Sequence, residues 1–206
     1  MLEIKDAEKV FYRGQPDEKR ALDGLSLTLG TGEFGIVIGS NGAGKSTMLN
    51  AISGALPLDR GKVVVEGEDL TDQPVHKRAT RIARVFQDPM LGTAASMTLA
   101  ENMLLADLRT RKRTLKRGLT EARRANYRER ISVLGLGLED RLDTSVALLS
   151  GGQRRSLSLI MAVGGQPDVL LLDEHTAALD PRTADIVMEA TVRAIEAHDL
   201  TTLMVT

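Results

Sequence analysis

Gly39-Ser40-Asn41-Gly42-Ala43-Gly44-Lys45-Ser46-Thr47 places three glycines, a lysine and three hydroxyl side chains within nine residues. Glycines let the backbone curl so that successive N–H groups converge on an anion, and Lys45 adds a mobile positive charge. A glycine, four residues and then Gly-Lys-Ser is the pattern of a phosphate-binding loop. The chemistry it predicts is the binding of a nucleoside triphosphate, ATP or GTP. Lys45 would reach the β and γ phosphates, Ser46 would ligate Mg²⁺, and Thr47 would contact the α phosphate. A helix beginning at the loop adds partial positive charge from its N-terminus.

A second group lies far downstream. Val169-Leu170-Leu171-Leu172 reads as a buried strand that ends in two carboxylates, Asp173 and Glu174. A parallel sheet delivers the C-terminal ends of its strands to the ligand crevice. Side chains alternate along a strand, so the two acids should part: Asp173 toward the Mg²⁺ shell and Glu174 toward the water that attacks the γ phosphate.

The elements that must hold these residues follow from periodicity and caps. Glu33 to Ile38 is a short apolar run, and Ser46 to Ser53 is a helical stretch closed by Gly54, giving strand, loop and helix in that order. Further strands are expected at Val63–Glu66, Ile82–Phe86, Asp168–Leu172 and Thr201–Val205. Thr98 with Glu101 and Ser150 with Gln153 fit capping boxes. The first opens a helix with Leu99, Met103, Leu104 and Leu108 near helical spacing; the second carries Leu157, Ile160 and Met161 on one face. Asp180 as N-cap and Pro181 in the first turn start a helix running to about Ala197. Strands alternating with helices predict an α/β fold with a mostly parallel sheet.

Length and composition narrow the field. A chain of 206 residues can form one domain with a small appended subdomain. Its net charge of -1 gives no global pull toward nucleic acid or lipid. No apolar run approaches the ~20 residues of a membrane helix and the N-terminus has no signal-peptide core, which predicts a cytoplasmic protein. Cysteine is absent, and His76, His175 and His198 are too scattered to suggest a metal cluster. Two tyrosines and three phenylalanines leave little for a base-stacking platform.

Leu149-Ser150-Gly151-Gly152-Gln153, standing before the acidic strand, resembles the signature sequence of the ATP-binding cassette (ABC) ATPases. Ser150, Gly151, Gly152 and Gln153 would expose N–H groups at a helix start and so form a second phosphate site. The resemblance covers essentially the whole chain. It implies a P-loop NTPase cassette with a mostly parallel core sheet, an N-terminal antiparallel β portion and an inserted α-helical subdomain, at roughly residues 88–150 of a single 1–206 nucleotide-binding domain. It further implies that each ATP lies between one protomer's phosphate loop and the other's signature helix. Two copies of this chain, or this chain and a related cassette, would supply the halves.

Other family elements follow in order. Gln87 resembles the glutamine that touches Mg²⁺ and senses the membrane partner. Ala177-Ala178-Leu179-Asp180 resembles the loop whose aspartate reaches across the dimer. Phe11 matches the aromatic that stacks on adenine, with neighbouring Tyr12 as the alternative. The family's switch histidine follows a strand matching Leu203-Met204-Val205-Thr206; the chain stops at Thr206, and neither His175 nor His198 stands in that place. The expectation is a truncated chain, with this strand at an exposed sheet edge.

The motifs fix the engine rather than its load. About sixty residues separate Gln87 from Ser150, too few for the coiled coils or zinc modules of chromosome-type relatives, and a single cassette sets it apart from translation-type relatives. The resemblance therefore implies a transporter subunit peripheral on the inner face of the membrane, hydrolysing ATP beside separate transmembrane permease subunits, with an extracytoplasmic substrate-binding protein. Asp173-Glu174-His175-Thr176-Ala177-Ala178-Leu179-Asp180-Pro181 resembles the ATPases of bacterial importers for tryptophan- or tyrosine-type substrates. The alternative is a soluble ABC ATPase acting on nucleic acid or ribosomes, motivated by Arg109, Arg111, Lys112, Arg113, Lys116, Arg117, Arg123, Arg124, Arg128 and Arg130. With no aromatics interleaved, that stretch reads better as a solvated face, and nucleic acid is not expected as a partner.

Overall fold

The computed structural model describes residues 1–109, 118–174 and 180–206. Its contacts divide the chain into two compact units. The first comprises Met1–Arg84, Pro167–Asp173 and Asp199–Thr206; the second comprises Val85–Gln166 and Glu174–His198.

In the first unit, β1 (Leu2–Phe11) pairs antiparallel with both β2 (Lys19–Leu29) and β4 (Arg60–Val65), and β5 (Glu68–Asp69) completes the order β2-β1-β4-β5. This is the expected antiparallel portion. The other sheet has the order β3-β8-β7-β6, formed by β3 (Phe34–Val37), β8 (Thr201–Val205), β7 (Val169–Asp173) and β6 (Ile82–Val85). Pairing is parallel from Phe34 with Thr202 to Val37 with Val205, and from Val169 with Thr201 to Asp173 with Val205. The expected edge position of Thr201–Val205 is thereby corrected: β8 lies between β3 and β7. Its burial explains the placement, since four of the five residues are buried and an apolar strand is best satisfied with a neighbour on each side.

Helix α1 (Lys45–Ser53) packs Leu49 and Ile52 into a core with Leu2, Ile4, Val63, Val65, Leu171 and Leu203. It stops at Gly54, whose φ of 79° is the left-handed C-cap geometry that glycine adopts without strain. A Cβ there would sit 2.8 Å from Arg78 Nε. Arg78, the last residue of α2 (Val75–Arg78), is only 3% exposed and closes the end of α1. Its guanidinium donates to the carbonyls of Ala51 (2.8 Å), Ile52 (3.0 Å) and Gln73 (3.0 Å), and also to that of Thr71. Burial holds this guanidinium below the ordinary arginine value. Arg78→Met should leave these acceptors short of donors, lowering stability by about 3 kcal/mol and the thermal midpoint by roughly 10 °C. A midpoint within ~2 °C of the parent protein would refute this role.

The second unit is helical. Helices α3 (Leu99–Leu108), α4 (Glu121–Ser132) and α6 (Pro181–His198) all pack on α5 (Gly151–Val163). Both predicted capping boxes form, Thr98 with Glu101 and Ser150 with Gln153, and Asp180 caps α6 by accepting from Thr183 N at 3.1 Å. The single apolar face expected for α5 is exceeded. Arg155, Ser156, Leu157, Ser158, Leu159, Ile160, Ala162 and Val163 are all buried, because neighbours cover the helix from several sides.

Among the described residues of the basic stretch, three arginines of α4 have partners within this unit. Arg124 pairs with Asp143 at 2.5 Å, Arg130 with Asp107 at 2.9 Å, and Arg123 donates to the Gly118 carbonyl at 2.6 Å. Tyr127, fully buried, donates to Asp107 at 3.0 Å, and burial pushes its phenol up to about 12. Arg111, Lys112, Arg113, Lys116 and Arg117 lie outside the described residues.

Candidate functional site

Residues 39–44 lie between β3 and α1, and Lys45, Ser46 and Thr47 are the first residues of α1, as the order of strand, loop and helix requires. Gly42 and Gly44 have φ of 84° and 88°. Gly44 is the N-cap of α1, and a Cβ there would fall 2.4 Å from the Ala21 carbonyl oxygen, so the loop can curl against β2 only with glycine at this position. No side chain caps α1 and its first turn carries no acid, whereas α3, α4 and α5 are capped by Thr98, Thr120 and Ser150. An N-terminus without a side-chain cap or an acid suits an anion.

Lys45 folds back over the loop, with Nζ donating to the carbonyl of Gly39 and, at 3.2 Å, to that of Ser40. Ser40, Asn41, Gly42, Ala43 and Ser46 are exposed, while Thr47 is half-buried. Beside the loop, Ala21, Leu22, Val37, Gly39 and Lys45 line part of a cavity of about 260 Å³. Phe11 ends β1, half-buried, with Lys9 Nζ 6.0 Å from its ring centroid. Tyr12 is 60% exposed.

Asp173, the last residue of β7, is buried, and one of its oxygens accepts from Arg84 Nη2 at 2.5 Å. The other arm of Arg84 donates to Asn50 of α1 at 2.6 Å. Reading the sequence missed both partners, because nothing local marks an arginine on β6 as facing β7. The Ser46 hydroxyl and the Asp173 carboxylate are hard oxygen donors of the kind that suit Mg²⁺.

In the helical unit, Gln87 Nε2 donates to Glu174 Oε2 at 3.0 Å. Glu174 is half-buried at a φ of 38°, so the chain turns sharply just after the strand. Buried Arg155 of α5 donates to the Gln87 carbonyl at 2.7 Å and thereby fixes the backbone carrying that glutamine. This contact also went unread in the sequence, where Arg155 is one more basic residue after the signature.

Ser150 and Gly151 are exposed at the start of α5, and Gly152 is buried. Ser150 Oγ accepts from Gln153 N at 3.2 Å, and Gln153 Oε1 accepts from Ser150 N at 3.1 Å. Accepting this bond leaves the serine hydroxyl able to donate one of its own. Ser150→Ala should remove the cap and cost about 1 kcal/mol, read as faster amide exchange in the first turn of α5; unchanged exchange would contradict the cap. Asp180 is exposed, and Thr183 holds its carboxyl below the usual range. Ala177, Ala178 and Leu179, with His175, lie outside the described residues.

A phosphate-type loop on a parallel sheet, an acid-terminated strand and a serine-capped glycine helix define the class. The chain belongs to the ABC transporter family, whose sequence profile matches residues 22–177. It is 44% identical over 206 residues to the tyrosine transport ATP-binding protein of Clostridioides difficile, covering 100% of this chain and 82% of that protein. It is 34% identical to a lipoprotein-releasing system ATP-binding protein of Caulobacter vibrioides, over 92% of this chain and 78% of that one. Among solved structures it is similar to a dimeric ATP-binding cassette in a post-hydrolysis state with ADP and phosphate, with a TM-score of 0.84, 27% identity, and coverage of 100% and 88%. The chain is thus an ATPase of the ABC type, and ATP is its nucleotide. Among the described residues, no helix is long and apolar enough to cross a membrane.

Proposed function

We propose that this chain is the ATP-hydrolysing subunit of a bacterial importer, working at the cytoplasmic face of the membrane on separate permease subunits. The observation that carries this reading is the 44% identity, across its whole length, to a protein named for tyrosine transport. A tyrosine- or tryptophan-type substrate, delivered by an extracytoplasmic binding protein, is the corresponding cargo. Of the basic residues that motivated a nucleic-acid role, Arg123, Arg124 and Arg130 are engaged inside the helical unit, which weighs against that role for these three.

The roles proposed for the residues follow from their chemistry. Gly39 to Thr47 hold the phosphates through backbone N–H groups, with Lys45 as the charge on the β and γ phosphates. Phe11 stacks on the adenine. Ser46, Asp173 and Gln87 would hold Mg²⁺, which when bound supplies charge neutralisation for the phosphates. Glu174 orients the attacking water and accepts its proton, and its bond to Gln87 keeps the carboxylate aimed. Ser150, Gly151, Gly152 and Gln153 present N–H groups and a hydroxyl to the nucleotide of a second cassette, and Asp180 reaches toward that cassette. Two copies, or this chain with a related one, close around two ATP molecules, and closure drives the membrane partner. In this reading the chain acts as one nucleotide-binding domain with its helical part inserted.

Solubilising membranes of the producing cell in mild detergent and isolating the tagged protein tests the assignment. Expected is a polytopic membrane subunit in the isolate, and ATP-dependent uptake of labelled tyrosine or tryptophan once the complex and its binding protein are placed in liposomes. Recovery with ribosomes or nucleic acid in place of a membrane subunit would overturn it.

A further inference from the structure

Arg84 lies on β6, and its guanidinium reaches two groups of its own unit: Asp173 of β7 at 2.5 Å and Asn50 of α1 at 2.6 Å. The ion pair is largely withdrawn from solvent, with side-chain exposures of 11% for Arg84 and 10% for Asp173. The guanidinium beside it offsets the charge of the carboxylate at the end of β7 from within the fold. At this depth the attraction escapes most of the screening that makes surface pairs weak. The second arm grips the helix that carries the phosphate loop, so one cation joins that helix to the carboxylate.

We propose that Arg84 is a positioning residue that sets how strongly nucleotide binding depends on Mg²⁺. Its charge holds the Asp173 carboxylate in a fixed orientation and lowers the attraction of that carboxylate for a free divalent cation. The metal is then taken up with the triphosphate, whose own charge offsets the arginine, and not by the empty loop. The proposal rests on reading Asp173 as the metal-side carboxylate.

The test is the affinity for a non-hydrolysable ATP analogue, measured with Mg²⁺ and in chelator and expressed as the ratio of the two. Arg84→Met removes the charge; the ratio should rise about tenfold, with half-saturating Mg²⁺ falling by a similar factor. Arg84→Lys keeps the charge and should stay within about threefold of the parent protein. Should Arg84→Met fail to fold, Arg84→Gln removes the same charge while keeping a polar side chain at this position, and carries the same expectation. An unchanged ratio in the neutral variants, whatever happens to the thermal midpoint, overturns the proposal and leaves Arg84 a packing residue. Asp173→Asn separates the two layers. If it lowers the ratio about tenfold while Arg84→Met does nothing, the metal reading stands and the proposal falls; if Asp173→Asn keeps the parent ratio, both fall.

Discussion

Lys45→Ala is expected to weaken ATP binding by about ten- to hundredfold. In the role proposed for it, the lysine contributes a charge-assisted contact to the phosphates, worth roughly 1.5–3 kcal/mol. In the structure its Nζ donates to the carbonyls of Gly39 and Ser40, both within the loop. Those bonds are local, so the thermal midpoint without nucleotide should move only a few degrees while the shift produced by ATP collapses. Isothermal titration and thermal melts on the same preparation give both readings. An affinity within twofold of the parent protein would show that the loop binds phosphate without its lysine, contrary to the role proposed here.

Glu174→Gln is the second large effect and has the opposite signature. The amide matches the carboxylate in shape, and its oxygen can still accept from Gln87 Nε2, so the turn at a φ of 38° should survive. What is lost is the proposed base: in that role, turnover should fall by roughly a hundredfold to ten-thousandfold with ATP binding retained. Because ATP is no longer consumed, the nucleotide-bound pair of cassettes should accumulate, and light scattering should find the molar mass doubled with ATP and Mg²⁺. Preserved turnover would mean that another group activates the water. Lost turnover in a protein that remains monomeric with ATP bound would remove the two-cassette part of the reading and leave the role of Glu174 in place.

The features legible in the sequence are those whose cause is local. The glycine turn between β3 and α1, both capping boxes, the Asp180 cap and Gly54 each depend on residues within a few positions, and each forms where expected. The acid-terminated strand was readable because Val169 to Leu172 is apolar without interruption and is buried throughout. Helix α4 was passed over because Glu121–Ser132 is almost wholly polar, burying only Tyr127 and Ile131. Arg78, Arg84 and Arg155 were illegible for a shared reason. Each acquires its meaning from carbonyls or carboxylates far away in the chain, and an arginine's spacing does not announce which of these it will meet. The misplacement of Thr201–Val205 has the same origin, since sheet order is a long-range property that strand pattern leaves open.

That sheet order also bears on how the protein is made. Strand β3 runs directly into the phosphate loop, yet its neighbour in the sheet is β8, which pairs Phe34 with Thr202. A nascent chain emerging from the ribosome would carry the loop long before the strand that anchors it, with the whole helical unit synthesised in between. Such non-local pairing slows folding and leaves β3 as an unpaired ribbon during translation. Nucleotide affinity would then be gained late and abruptly, when β8 slots between β3 and β7, so ATP can favour the finished sheet but cannot template its beginnings.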